Sequence, residues 1–131
     1  FVVYHSWQFV GSNEFAAMHI AAGERIVPLL VLPTFILTIL CVLMFWKRPS
    51  QISKTQLWLA LAMLLAGWAS SAFIQIPIQA QLTSGKNDAL LKKLIVTDWI
   101  RVIAWLIYIG IIIKMLLQII AAYKMKQTVT V

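Results

Sequence analysis

The chain has 131 residues, of which 62% are hydrophobic and only 11% charged, with a mean hydropathy of +0.89. Soluble chains carry about 45–50% apolar and about 25% charged residues, so this composition excludes a soluble enzyme, a disordered tail and a disulfide-stapled secreted domain. The one cysteine, Cys41, has no second thiol to bridge, and the net charge of +7 reads as a flank for lipid headgroups rather than a nucleic-acid surface. An integral membrane protein is expected.

The first element in chain order is the apolar run Phe1–Val10, with Tyr4 and Trp7 placed like interfacial belt residues. Ten residues are too few to cross a bilayer, since a spanning helix needs about 20. The run reads as the end of a further helix; the other reading is a short membrane-dipping segment. Gly11-Ser12-Asn13 breaks it, and Ser12 or Asn13 can N-cap an interfacial helix over 13–25. Three complete spans follow, over about 26–46, 57–81 and 99–121, each drawn from a run long and apolar enough to cross. Pro49, in the basic link Lys47–Lys54, stops the first span. Thr83–Asn87 is the second turn, with Asn87 or Asp88 as the cap of the last helix. Such short links predict an all-α fold: one domain, an antiparallel membrane bundle of three spans plus the end of a fourth.

We call the side bearing Ser12–Arg25 and Thr83–Leu94 side A, and the side bearing Lys47–Lys54 and Lys124–Lys126 side B. Side B carries five basic residues and no acid, whereas Glu14, Glu24, Asp88 and Asp98 all fall on side A. The positive-inside rule counts Lys and Arg alone. With Arg25 and Arg101 taken as internal residues of side A, it places side B inside.

Pro28, Pro33 and Pro77 lie within spans near side A, where each removes a backbone donor and bends the helix. Trp68, Ser71, Gln75 and Gln79 share one face of the middle span; Asp98, Arg101, Trp105 and Tyr108 share one face of the last. With Glu14 and Arg25 these stripes predict a polar cup at side A. His19 is turned roughly 120° from Arg25 on a continuous helix, and joins the cup only if that helix breaks. Asp98 and Arg101 are either an ordinary intrahelical pair or a functional one, since charges within a membrane mark functional sites by default. Gln75 and Gln79 either join helices or meet a ligand. Two histidines and one cysteine at unrelated spacings give no metal site and imply no cofactor.

Three segments together, Glu14–His19 leading to Arg25–Pro28, then Ile74–Gln79, then Thr97–Arg101, resemble a family of small four-helix bacterial membrane proteins of unknown function, distantly anthrone-oxygenase-like. The resemblance implies a multi-pass protein of the bacterial inner membrane and, by analogy, cofactor-independent oxygenation of a small aromatic molecule. The chain departs from that family's pattern at Gly23, Gln79 and Asp98. Two functions follow as expectations. In the first, a small apolar ligand sits in the cup: Arg25 and Arg101 orient it with Gln75 and Gln79, Asp98 or His19 moves a proton, and Trp105 and Tyr108 stack on a ring. In the second, the chain is a non-catalytic subunit of a larger membrane complex, docking through the small-residue patch Gly67–Ala72.

Overall fold

The structure is a computed structural model that describes residues 2–129. All of its regular elements are helical. Three continuous helices, Ser12–Leu43, Lys54–Leu82 and Asp88–Thr128, are long and apolar enough to cross a membrane. Helix α1 (Val2–Ser6) and a 3₁₀ turn (Trp7–Phe9) precede them.

The first long helix comprises α2 (Ser12–Ile26), a π turn (Val27–Val31) and α3 (Leu32–Leu43). The second comprises α4 (Lys54–Ser70), a π turn (Ser71–Gln75) and α5 (Ile76–Leu82). The third is the single helix α6 (Asp88–Val129). The π turns have one cause. Pro33 and Pro77 lack an N–H, and their rings crowd the carbonyls four residues back. The amide just before each proline therefore bonds five residues back, Leu32 to the Val27 carbonyl and Ile76 to the Ser71 carbonyl. Both helices continue through their prolines, each with one π turn. The segments 13–25 and 26–43 form parts of one uninterrupted helix, and residues 44–46, expected within the span, form a turn after it.

The termini obey local rules. Ser53 and Gln56 make a reciprocal capping box on α4, a spacing that the sequence displays. Asn87 Oδ1 accepts from the amides of Ala89 and Leu90 and caps α6. Helix α2 starts one residue earlier than its polar residues suggest: Gly11 is the cap, no side chain bonds the first turn, and Ser12 is already helical. Gly85, at φ +142° in the turn between α5 and α6, adopts a conformation that other residues rarely reach.

Packing runs along three clusters. At the side B end, Ile52, Leu57 and Met115 are buried together. In the middle, Cys41, Ala60, Leu64 and Tyr108 join all three long helices. At side A, Tyr4 and Trp7 bury with Phe15, Ile78, Leu82, Leu91 and Leu94. Two side-chain pairs fix how α4–α5 lies on α6: Gln56 Nε2 donates to Gln118 Oε1 at 2.9 Å, and Gln75 Nε2 to Asp98 Oδ1 at 3.0 Å. The Trp68 indole donates to Thr38 Oγ1 at 3.1 Å and ties the first long helix to the second. Large apolar side chains such as Leu29, Phe35, Phe73, Ile103 and Leu117 remain exposed over the outer faces, as a bilayer would require.

Candidate functional site

Between the two π turns lies a cavity of about 500 Å³. The first long helix lines it with Ile26, Leu30, Val31 and Thr34, and the second with Leu64, Gly67, Trp68, Ser71, Ala72, Gln75, Ile76 and Gln79. Helix α6 adds Arg101 and Trp105, and Tyr4 enters from α1. The stripe Trp68, Ser71, Gln75 and Gln79 faces this cavity throughout. A π bulge is a frequent mark of functional positions, and here each of the two contributes lining residues.

One chain of hydrogen bonds organises the polar wall. Gln79 Nε2 donates to Tyr4 Oη at 2.9 Å, Tyr4 Oη to Gln75 Oε1 at 3.4 Å, and Gln75 Nε2 to Asp98 Oδ1 at 3.0 Å. Arg101 Nη2 reaches the same carboxylate oxygen at 2.6 Å. Every bond points toward Asp98, so each donor stabilises its negative charge and polarises the next. Asp98 has no exposed surface, while the Arg101 side chain keeps 25% of its own. The Arg101 guanidinium also lies over the Tyr4 ring, 5.9 Å from its centroid, within reach of a cation–π attraction. The charge that faces the cavity is therefore Arg101, and Asp98 holds it from behind the wall.

The structure separates the other expected cup residues. Arg25 is exposed and does not line the cavity. Successive helical residues are turned by about 100°, and its neighbour Ile26 takes the inward place. Glu14 is exposed as well. Tyr108 lies one turn beyond Trp105, with ring centroids 5.6 Å apart. It is buried beside Cys41, Ala60 and Leu64, where the helices close and the cavity ends. His19 is buried outside the cavity, stacked on Phe15 and edge-on to Trp7. It lines a separate groove with Ile20, Gly23, Ile76, Gln79, Ala80 and Thr83. No break in the first long helix turns it inward.

Two contributors were missed in the sequence. Tyr4 comes from a segment 71 residues away from its partner Gln75, and nothing local signals that approach. Lys86, which reads as a loop charge, donates from Nζ to the carbonyls of Gln8 and Val10 at 2.8 Å each. It satisfies two carbonyls at the end of the N-terminal segment that carries Tyr4.

The unused donors decide what the site can do. Arg101 has five N–H groups and gives one of them to Asp98. Among the described residues, neither the Trp105 indole N–H nor the Ser71 hydroxyl has a hydrogen-bond partner. The cavity thus offers donors to an incoming acceptor, within walls that are otherwise largely Ile, Leu, Val and Trp. The same residues form no metal centre: among the described residues no group of three His, Cys, Asp or Glu lies close enough to hold an ion.

No family model matches this chain, and neither curated proteins nor solved structures yield a match to it.

Proposed function

We propose that this chain is a multi-pass membrane protein, an antiparallel bundle of its three long helices, whose cavity binds a small, uncharged, largely apolar molecule carrying a hydrogen-bond acceptor such as a ring carbonyl. The observation that carries this reading is Arg101, held at 2.6 Å by a fully buried Asp98 and lining a cavity whose walls are largely apolar. A carboxylate ligand would place a second negative charge beside the buried Asp98 carboxylate, and like charges repel strongly in a poor solvent. A neutral carbonyl accepts from Arg101, Trp105 or Ser71 without disturbing the pair. Trp68 and Trp105 supply flat walls for an aromatic body.

Binding is favoured over catalysis. The oxygenase chemistry that the family resemblance implies needs a base beside the ligand. Asp98 lies behind Gln75 and Arg101, His19 lies in the outer groove, and the titratable groups among the residues lining the cavity are Tyr4 and Arg101. For the subunit reading, the patch Gly67–Ala72 is divided: Gly67 and Ser70 are buried within the chain, and Ala69 and Ala72 are exposed.

The test uses the purified full chain in micelles and three probes of one shape: acetylnaphthalene, ethylnaphthalene and naphthoate, followed by quenching of tryptophan fluorescence. Acetylnaphthalene should bind at least about tenfold more tightly than either of the others, the value of a single good hydrogen bond in a dry site. Arg101→Gln and Trp105→Leu should reduce that preference. Equal, non-saturable partition of all three probes would overturn the proposal.

A further inference from the structure

The two ends of the bundle differ in charge although they carry equal numbers of bases. Side A has five bases and four acids, whereas side B has five bases and no acidic side chain. Pairing reduces the imbalance of side A further. Arg101 meets Asp98 at 2.6 Å, and Lys86 lies 3.9 Å from Asp88 and donates to two carbonyls. On side B the bases Lys47, Lys54 and Lys124 are exposed, and among the described residues their side chains make no hydrogen bond or ion pair. The link that carries Lys47, Arg48 and Lys54 is pinned. Ile52 is buried with Leu57 and Met115, its amide donates to the Pro49 carbonyl at 3.1 Å, and its own carbonyl accepts from Arg48 Nη1. Two indoles give the depth of these charges. Trp46 and Trp58 are 73% and 62% exposed, Lys47 follows Trp46 directly, and Lys54 lies one turn outward of Trp58. Exposed indoles sit at the membrane interface, so bases just outward of them meet the phosphates. Lys124 stands about 9 Å further along α6 than Gln118, which is paired with Gln56 at the start of α4, and so faces the same leaflet.

We propose that side B is a docking surface for anionic phospholipids, with Lys47, Arg48 and Lys54 on their phosphates and Lys124 adding to the field. The inference rests on the membrane-spanning arrangement proposed above. Charge complementarity carries it. Each base near an anionic surface is worth about fivefold in affinity, and a zwitterionic headgroup brings its own cation, which cancels most of that gain. Lys54 opens α4 at the positive end of the helix dipole, with no acid in the first turn. That placement is unfavourable by itself, and an outside anion reverses it. Free phosphate shares the headgroup chemistry but lacks acyl chains, which here lie against the exposed Leu43 and Leu59 beside the indoles. A lipid is therefore the occupant.

The experiment uses the full chain in nanodiscs, in a Cys41→Ser background. A fluorophore is attached to a cysteine at Ser50 in the side B link or at Ser84 in the side A turn, both exposed positions. Phosphatidylglycerol and phosphatidylcholine, each with a nitroxide near the top of one chain, are titrated as quenchers. At about 0.1 M salt phosphatidylglycerol should be preferred at Ser50 by at least about fivefold, the value of one base, and at Ser84 by less than about twofold. At about 1 M salt, where the screening length is about 3 Å, the Ser50 preference should fall toward unity. Lys47→Gln with Lys54→Gln should bring it below about twofold, whereas Lys92→Gln with Lys93→Gln, exposed bases of side A, should leave it unchanged. Sodium phosphate should weaken it no more than sodium chloride at equal ionic strength. Equal preference at the two reporters, a preference that survives high salt or the Lys47 and Lys54 changes, or displacement by phosphate beyond chloride would overturn the proposal and leave the membrane arrangement standing. Quenching by neither lipid at either reporter would overturn both.

Discussion

The pair Asp98–Arg101 makes a quantitative demand on the fold. Its members are unequally placed: Asp98 is wholly buried, and Arg101 keeps a quarter of its side-chain surface and a long apolar stem. Removing the carboxylate in Asp98→Asn leaves an arginine that can tilt toward the headgroups, so the loss is close to that of one charge-assisted hydrogen bond, about 1.5–3 kcal/mol. Removing the cation in Arg101→Gln leaves a carboxylate that cannot reach water, and the loss approaches about 3–5 kcal/mol. At roughly 4 °C per kcal/mol for a chain of this size, the melting temperature should fall by about 6–12 °C for Asp98→Asn and further for Arg101→Gln. The double variant should recover part of the loss, because it strands no charge. Thermal unfolding in one detergent, followed by circular dichroism, measures all four corners of the cycle. Strictly additive losses, or a larger loss for Asp98→Asn than for Arg101→Gln, would refute the inference that the buried carboxylate depends on its cation.

Two further outcomes are expected. Gln118→Leu should lower stability by about 0.6–1.7 kcal/mol, the range for hydrogen bonds between membrane helices, because it leaves the Gln56 amide N–H unpaired across α4 and α6 and spares the Ser53–Gln56 capping box. The same melting assay measures the loss, and a Gln118→Leu variant as stable as the parent would count against that pairing. In a Cys41→Ser background, cysteines placed at the exposed positions Ser50 and Ser84 should react with a membrane-impermeant maleimide from opposite sides of sealed vesicles. Labelling of both from one side would overturn the membrane-spanning arrangement.

Much of the fold is legible along the chain because helix geometry is local. Uncharged runs gave the three long helices, Pro49 and Asn87 marked turns that the structure keeps, and a rotation of about 100° per residue put Trp68, Ser71, Gln75 and Gln79 on one face. The same rule made Asp98 and Arg101 neighbours one turn apart, and they meet at 2.6 Å. The prolines announced disturbed backbone but not its form, since a kink, a break and a π turn all answer a missing donor.

Which faces meet was decided only in three dimensions. Sequence spacing fixes angles within a helix and leaves free the rotation of one helix against another. That rotation turned Ile26 rather than Arg25 toward the cavity, left His19 beside an outer groove, and buried Tyr108 where Leu64 closes the cavity floor. Tyr4 reaches Gln75 and Gln79 across 71 and 75 residues of chain, with Lys86 holding its segment by two carbonyls. Contacts of that range leave no periodic trace in the sequence, because they depend on how the side A cluster packs the N-terminal segment between the long helices. The sequence alone therefore determined the helices, their order and the charge pair, while tertiary packing decided which of the polar residues share a cavity.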